Sequence, residues 1–212
     1  MTPKAPLLIV EHPVVARDLT ILRNKETPSA VFRPVLNRLA TILAYHALDK
    51  LPLREVTVQT PIQATKGFEI DTQVIVVPIL RAGLGLVHAI TQFIPEAKIG
   101  HLGIYRDETT HKPVEYYVNL PKTGLSDGTV LLVDPMLATG GSACDAIGYL
   151  KTKGVQKIRF MCLIAAPEGV EAVQQQHPDV PIITASVDEK LNENAYIVPG
   201  LGDAGDRIFG TD

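Results

Sequence analysis

Long hydrophobic runs, a surplus of positive charge and paired cysteines are all missing from this sequence. The longest apolar run, VIVVPIL from Val74 to Leu80, falls far short of the roughly 20 residues that span a bilayer. The opening MTPKAPLLIVEHP has four consecutive large apolar residues before an acid, too few for the apolar core of a signal peptide. No membrane contact and a cytoplasmic location are therefore expected. The formal net charge is -3, so no global basic field draws in nucleic acid or an anionic membrane. A local basic site for a small phosphorylated ligand remains compatible with that balance. The two cysteines, Cys144 and Cys162, lie in apolar surroundings without CxxC spacing, which points to reduced, buried thiols in the cytosol. The six histidines show no metal-ligand spacing. Repeats and low-complexity segments are absent as well.

What is present suits a single domain over 1–212. Apolar residues make up 46% and charged residues 20% of the 212, enough to build a core. Helices are expected within 13–50. The clearest runs from Ser29 to Leu48, where Phe32, Val35, Leu36, Leu39, Ile42, Leu43 and Ala47 share one face, with Pro28 before it and Pro52 after it. VIVVPI, Val74 to Ile79, is a continuous apolar run, as expected of a strand covered on both faces. A helix-like stretch, Leu84 to Phe93, follows. Further strands are read at Lys98 to Tyr105, Val130 to Val133, Lys157 to Ala165 and Pro181 to Ala185. Between the last three sit two amphipathic helices, marked by Ala143, Ala146, Ile147 and Leu150 and by Val170 and Val173. The alternation predicts an α/β fold with a central, mostly parallel sheet flanked by helices. Residues 106–128 break the rhythm with a polar stretch, RDETTHKP, and a short aromatic piece, VEYYVNL. A connection that long reads as a two-stranded β-arm, about 101–128, able to close over a site.

The most informative stretch is VLLVDPMLATGGSACDAI, Val130 to Ile147. In open parallel sheets, ligands bind beyond the carboxyl ends of the strands, and Asp134 stands at such an end. Its carboxylate can accept two hydroxyl hydrogen bonds, as a ribose diol requires. Ala138, Thr139, Gly140, Gly141 and Ser142 follow and open a helix. Glycines there let the backbone approach an anion, and helix-terminal N–H groups point outward. A diol acceptor beside an anion cup matches a ribose 5-phosphate group. The plain alternative is an ordinary tight turn with Ser142 as helix cap, and the acid at the strand tip weighs against it. The loop is not a Walker A, because no lysine follows the glycines.

VLLVDPMLATGGSA closely resembles the diphosphoribose-binding signature of the type I phosphoribosyltransferases, in the form used by uracil phosphoribosyltransferases. Most relatives outside the uracil branch carry two adjacent acids at the tip, where Pro135 stands here. The resemblance implies that Asp134 to Ser142, including Pro135, Met136 and Leu137, hold 5-phosphoribosyl 1-diphosphate. VPILRAGLGL places Arg81 at another strand end, where its planar fork of donors suits a diphosphate. In the family this loop adopts an unusual peptide geometry. Arg106, in GIYRDE, is similar to a second arginine at the base of the arm. YIVPGLGDAGDRIFGT, Tyr196 to Thr211, resembles the uracil-recognition segment almost residue for residue. Gly200-x-Gly202-x-x-Gly205 is also a GxGxxG, but only seven residues follow Gly205, too few for a dinucleotide-binding βαβ unit. By resemblance Ile197, Gly202, Asp203 and Ala204 line the base, Asp203 also faces the ribosyl donor, and 186–212 forms a small base-binding hood. Backbone groups fixed in this way would leave polar atoms unpaired against cytosine, which reverses the donor and acceptor on that edge.

The resemblance covers nearly the whole chain from His12 onward. It implies transfer of the phosphoribosyl group to uracil, giving UMP and diphosphate, with Arg81, Arg106 and Asp134 as the catalytic group. Mg²⁺ would enter with the diphosphate rather than on protein side chains. A homodimer or higher homo-oligomer is implied, and GTP activation, known in some relatives, is left open. A competing class is a nucleotide-sensing, RNA-binding regulator, disfavoured by the acidic net charge. A purine base is opposed only by the C-terminal segment.

Overall fold

The computed structural model describes residues 6–106 and 113–211, excepting the side chains of Tyr105, Arg106, Pro113 and Glu115. In chain order the elements begin with β1 (Leu7–Ile9), α1 (Pro13–Arg23), α2 (Ser29–Ala47), β2 (Leu53–Gln59), β3 (Ala64–Ile70), β4 (Val74–Pro78) and α3 (Leu84–Phe93). Then come β5 (Lys98–Ile99), β6 (His101–Arg106), β7 (Pro113–Asn119), β8 (Thr129–Val133), β9 (Met136–Leu137) and α4 (Gly141–Thr152). The last third contains β10 (Lys157–Met161), β11 (Ile164–Ala165), α5 (Pro167–Gln176), β12 (Ile182–Thr184), β13 (Ser186–Val187), β14 (Lys190–Leu191), β15 (Ile197–Val198) and α6 (Ala204–Phe209).

The main sheet has six strands in the order β1-β12-β10-β8-β4-β5, all paired in parallel. β4 is apolar throughout, and β8 is apolar after Thr129, because both faces of these strands are covered. Val74 and Val76 of β4 and Leu131 and Val133 of β8 pack into one core with α1, α2 and α3. Ile75, Val77, Val130 and Leu132 point the other way, into a second core with α4 and α5. The alternation of strand side chains thus divides one apolar run between two cores. The expected mostly parallel α/β sandwich is what the chain forms.

Several boundaries differ from the sequence reading. Lys98 to Tyr105 is two strands: β5 stays in the main sheet, whereas β6 leaves it at Gly100 and pairs antiparallel with β7. The described part of the arm is the antiparallel pair β6–β7, and residues 107–112 lie outside the described residues. Lys157 to Ala165 also divides, because Leu163 and Ile164 turn their N–H groups to the Pro135 carbonyl at 2.9 and 3.2 Å. β11 then joins a small sheet with β9 and β13. The β1 edge strand and the β2–β3 hairpin had no counterpart in the sequence reading. Nearly every hairpin residue is exposed, so it shows no core-facing pattern.

Candidate active site

The site begins with strand register. In β4 and β8, Pro78 lies opposite Val133, and the Ile79 N–H donates to the Val133 carbonyl at 2.9 Å. The two strands therefore end level, and the Arg81 loop starts beside Asp134. The Leu80–Arg81 peptide is cis, the unusual geometry expected for this loop. Gly83 closes the approach: a Cβ there would come within 2.6 Å of the Val133 carbonyl and 2.7 Å of the Ile79 carbonyl. Only glycine lets the loop lie so close to the strand ends.

After Asp134 the chain runs extended through β9, so alternate residues face the same way. Asp134, Met136 and Ala138 line a cavity of about 420 Å³. Leu137 turns into the second core, and the Pro135 and Leu137 carbonyls accept backbone hydrogen bonds from Leu163, Ile164 and Ala166. Pro135 and Leu137 thus brace the loop rather than line the cavity. Helix α4 follows with Gly140 as its N-cap, left-handed at φ 83°. Ser142 is inside the first turn and does not cap the helix. The Thr139 Oγ1 accepts from the Gly141 N–H at 3.3 Å, leaving the hydroxyl proton to donate elsewhere. The Ser142 and Ala143 N–H groups sit in the first turn, where no intrahelical acceptor exists.

The opposite wall comes from the C-terminal segment: Asn194, Ala195, Tyr196, Ile197, Gly202, Asp203, Ala204 and Gly205 line the same cavity as Asp134 and Ala82. Two segments some sixty residues apart therefore share one cleft. Asn194, Ala195 and Ala82 had not been singled out from the sequence, and Tyr196 and Gly205 only as members of the Tyr196–Thr211 segment. Ala195 could not be found that way, since its left-handed φ of 61° belongs to a turn organised by Asn192, whose Oδ1 accepts from the Asn194 and Tyr196 N–H groups. Asp203 caps α6 through its Oδ1, which accepts from the Asp206 N–H at 3.0 Å.

Electrostatically the cleft is acidic. Burial pushes the Asp134 carboxyl up to about 7, the Met136 N–H opposes this, and the charge of Asp203 adds to it. Among the described residues, no lysine or arginine lines the cavity. Arg81 lies outside the lining, largely exposed, with its Nη2 3.9 Å from Asp206 Oδ1. The Arg106 backbone ends β6, and its side chain lies outside the described atoms. Cys162 is buried and its thiol is pushed up to about 12 by that burial, a poor nucleophile. Among the described residues, no group of three or more His, Cys, Asp and Glu side chains is placed to hold a metal ion. Two carboxylates on one cleft, one of them resisting ionisation, nevertheless fit a cation that arrives already bound to an anionic ligand. Among the described residues, no helix is long and apolar enough to cross a membrane.

Comparison with known proteins agrees with this architecture. A structure of the AQ2163 protein from Aquifex aeolicus matches with a TM-score of 0.90 at 36% identity, covering 97% of this chain and 99% of that one. A hypoxanthine phosphoribosyltransferase from Staphylococcus aureus shares the fold, with a TM-score of 0.52 at 12% identity, covering 75% of this chain and 76% of that one. The uracil phosphoribosyltransferase of Salinibacter ruber is 54% identical over 203 residues, 96% of each chain. That of Bacillus pumilus is 53% identical over 208 residues, 98% of this chain and 99% of its own. The family profile described as uracil phosphoribosyltransferase matches residues 9–211. With the cradle and the tail on one cleft and likeness of this extent along the whole chain, the protein belongs to the uracil phosphoribosyltransferase family.

Proposed function

We propose that this chain joins uracil to 5-phosphoribosyl 1-diphosphate, giving UMP and diphosphate, with the donor in the Asp134–Ser142 cradle and the base against the Ile197–Ala204 segment. The observation that carries this reading is the single cleft lined by both segments. In the reaction a bond forms between uracil N1 and ribosyl C1 while the bond from C1 to the diphosphate oxygen breaks. The electron pair leaves with the diphosphate, and the proton from N1 passes to water or to the released diphosphate. Positive charge builds on C1 and negative charge on the diphosphate, so positioning and electrostatics supply most of the acceleration.

Each residue then has a role. The Asp134 carboxylate accepts hydrogen bonds from the ribose hydroxyls. The α4 N-terminus, with the Thr139 and Ser142 hydroxyls, anchors the 5-phosphate. Arg81, exposed and only loosely paired with Asp206, is free to turn its fork to the diphosphate. Arg106, at the end of β6, would take the other side of that group. Asp203 stands between donor and base. Mg²⁺ bound with the donor would supply charge neutralisation on the diphosphate, and Asp134 and Asp203 would be the carboxylates to meet it. Closure of the β6–β7 hairpin over the cleft would exclude water from the donor.

Two finer statements belong to the same proposal. The buried thiols of Cys144 and Cys162, neither joined in a disulfide, support a cytoplasmic protein. The exposed side chains of Tyr45, Leu53 and Phe93, which line one groove with Ile70, support a homodimer or higher assembly. The deciding assay for function measures diphosphate release from 5-phosphoribosyl 1-diphosphate and Mg²⁺ with uracil, cytosine or a purine as acceptor. Uracil is expected to be preferred by about 10⁴-fold; preference for cytosine or a purine would overturn the assignment.

A further inference from the structure

The backbone of the base-binding segment is held by an ion pair that lines no part of the cleft. Arg23, the last residue of α1, places Nη1 and Nη2 each 2.6 Å from a different carboxylate oxygen of Asp188. Its Nη1 also donates to the Gly200 carbonyl at 2.8 Å. The Gly200 N–H donates in turn to Asp188 Oδ2 at 2.8 Å. Both backbone groups of Gly200 are therefore closed into a ring with the pair. The Ser186 hydroxyl completes the set by donating to Asp188 Oδ1 at 2.7 Å. The Asp188 side chain is only 2% exposed. Burial alone would raise its carboxyl, yet the Arg23, Ser186 and Gly200 donors hold it below the usual carboxylate range.

Gly200 passes this constraint on. It is left-handed at φ 59°, and a Cβ there would lie 2.2 Å from the Ile197 carbonyl oxygen. The Gly200 backbone thus sits directly against the carbonyl of Ile197, a residue that lines the cleft. A second arginine holds the next residue from the same side. Arg207 donates through Nη1 to the Leu22 carbonyl and, at 2.8 Å, to that of Leu201, and through Nη2 to the Asn24 carbonyl at 2.7 Å. The last turn of α1 therefore grips the segment at Gly200 and Leu201, just before Gly202 and Asp203 enter the cleft. The donor cradle meets this grip through backbone pairing: β13, which carries Ser186, pairs with β11, and β11 pairs with β9, while the Arg23, Asp188 and Gly200 hydrogen bonds run to the tail.

We propose that Arg23 and Asp188 are positioning residues for base recognition: their ion pair sets the Ile197–Gly202 backbone and thereby the affinity for uracil, without acting on the ribosyl donor. The inference rests on the reading that this segment binds uracil through backbone groups. A fixed donor or acceptor is worth most when it cannot move to suit another partner, and a doubly bonded guanidinium fork supplies that rigidity.

The test is steady-state kinetics with each substrate varied in turn, alongside a thermal melt. Arg23→Lys keeps the charge but loses the fork. Its uracil KM is expected to rise about 10-fold, the loss of one hydrogen bond to a charged group, with the donor KM within about twofold of the parent. Ser186→Ala, which removes one supporting hydroxyl and is expected to fold, should raise the uracil KM alone by about threefold. Asp188→Asn combined with Arg23→Lys should cost less than the sum of the two. Unchanged uracil KM in folded Arg23→Lys or Ser186→Ala, or a parallel rise in both KM values, would overturn the inference and leave the pair a structural tie. A parent protein that does not use uracil would sink the assignment of function instead, so the two failures are distinguishable.

Discussion

The Ile79 N–H donates to the Val133 carbonyl at 2.9 Å, and through that bond the Arg81 loop and the Asp134 loop begin at the same level of the sheet. Every proposed donor contact depends on this alignment, because a slip of one residue would turn each strand side chain to the opposite core.

Gly83→Ala tests the alignment directly. The added methyl would lie under 3 Å from three backbone atoms of Ile79 and Val133, none of which can move without shifting a central strand. A loss of about 1–3 kcal/mol in stability is expected, with a loss of activity larger than the melting shift alone explains. Denaturant titration and diphosphate release on the same sample check both.

Arg81→Ala should separate binding from stability. The side chain is largely exposed and its ion pair with Asp206 is 3.9 Å long, so the melting temperature should stay within about 1 °C. The kcat/KM for the donor should fall about 10–100-fold, as for a lost charged hydrogen bond.

Asp134 predicts a pH dependence. Its carboxyl is raised to about 7 by burial, with the Met136 N–H opposing and Asp203 adding, and the ionised form accepts the ribose hydroxyls. The kcat/KM for the donor should therefore climb with pH and level off above about 7, which a pH–rate profile measures. Asp134→Asn should abolish that limb and lower activity at least 100-fold.

The same carboxyl should lower stability as pH rises. A raised pKa means that the folded state binds the proton more tightly than the unfolded chain, so stability is lost between about pH 4 and pH 7. Asp134→Asn removes that loss. Melts at pH 8 should show the inactive variant to be more stable than the parent, with the difference shrinking toward pH 5.

Gly140→Ala probes the phosphate cradle. Its φ of 83° is left-handed, and a Cβ would meet the Ala172 methyl at 2.9 Å and the Gly169 carbonyl at 3.0 Å. A cost of about 1–2 kcal/mol is expected from the backbone alone, together with a higher donor KM and an unchanged uracil KM.

The sequence by itself determined the parts whose signal is local. VIVVP and VLLV are apolar at every position because both faces of a central parallel strand are buried, and that needs no knowledge of what covers them. The turn from Asp134 to Ser142 and the tail from Tyr196 to Thr211 were legible as motifs, and the family likeness rests on them. Only the tertiary structure decided the rest. β1 and the β2–β3 hairpin escaped because three residues, or a hairpin exposed on both faces, give no burial pattern to read. The division of Lys157 to Ala165 is imposed by the Pro135 carbonyl, which lies in the bend between β8 and β9. Arg23 and Asp188 stand 165 residues apart, and nothing in the spacing of either announces the other. Local patterns record whether a residue is buried; which distant residue completes a hydrogen bond is settled only when the chain closes on itself.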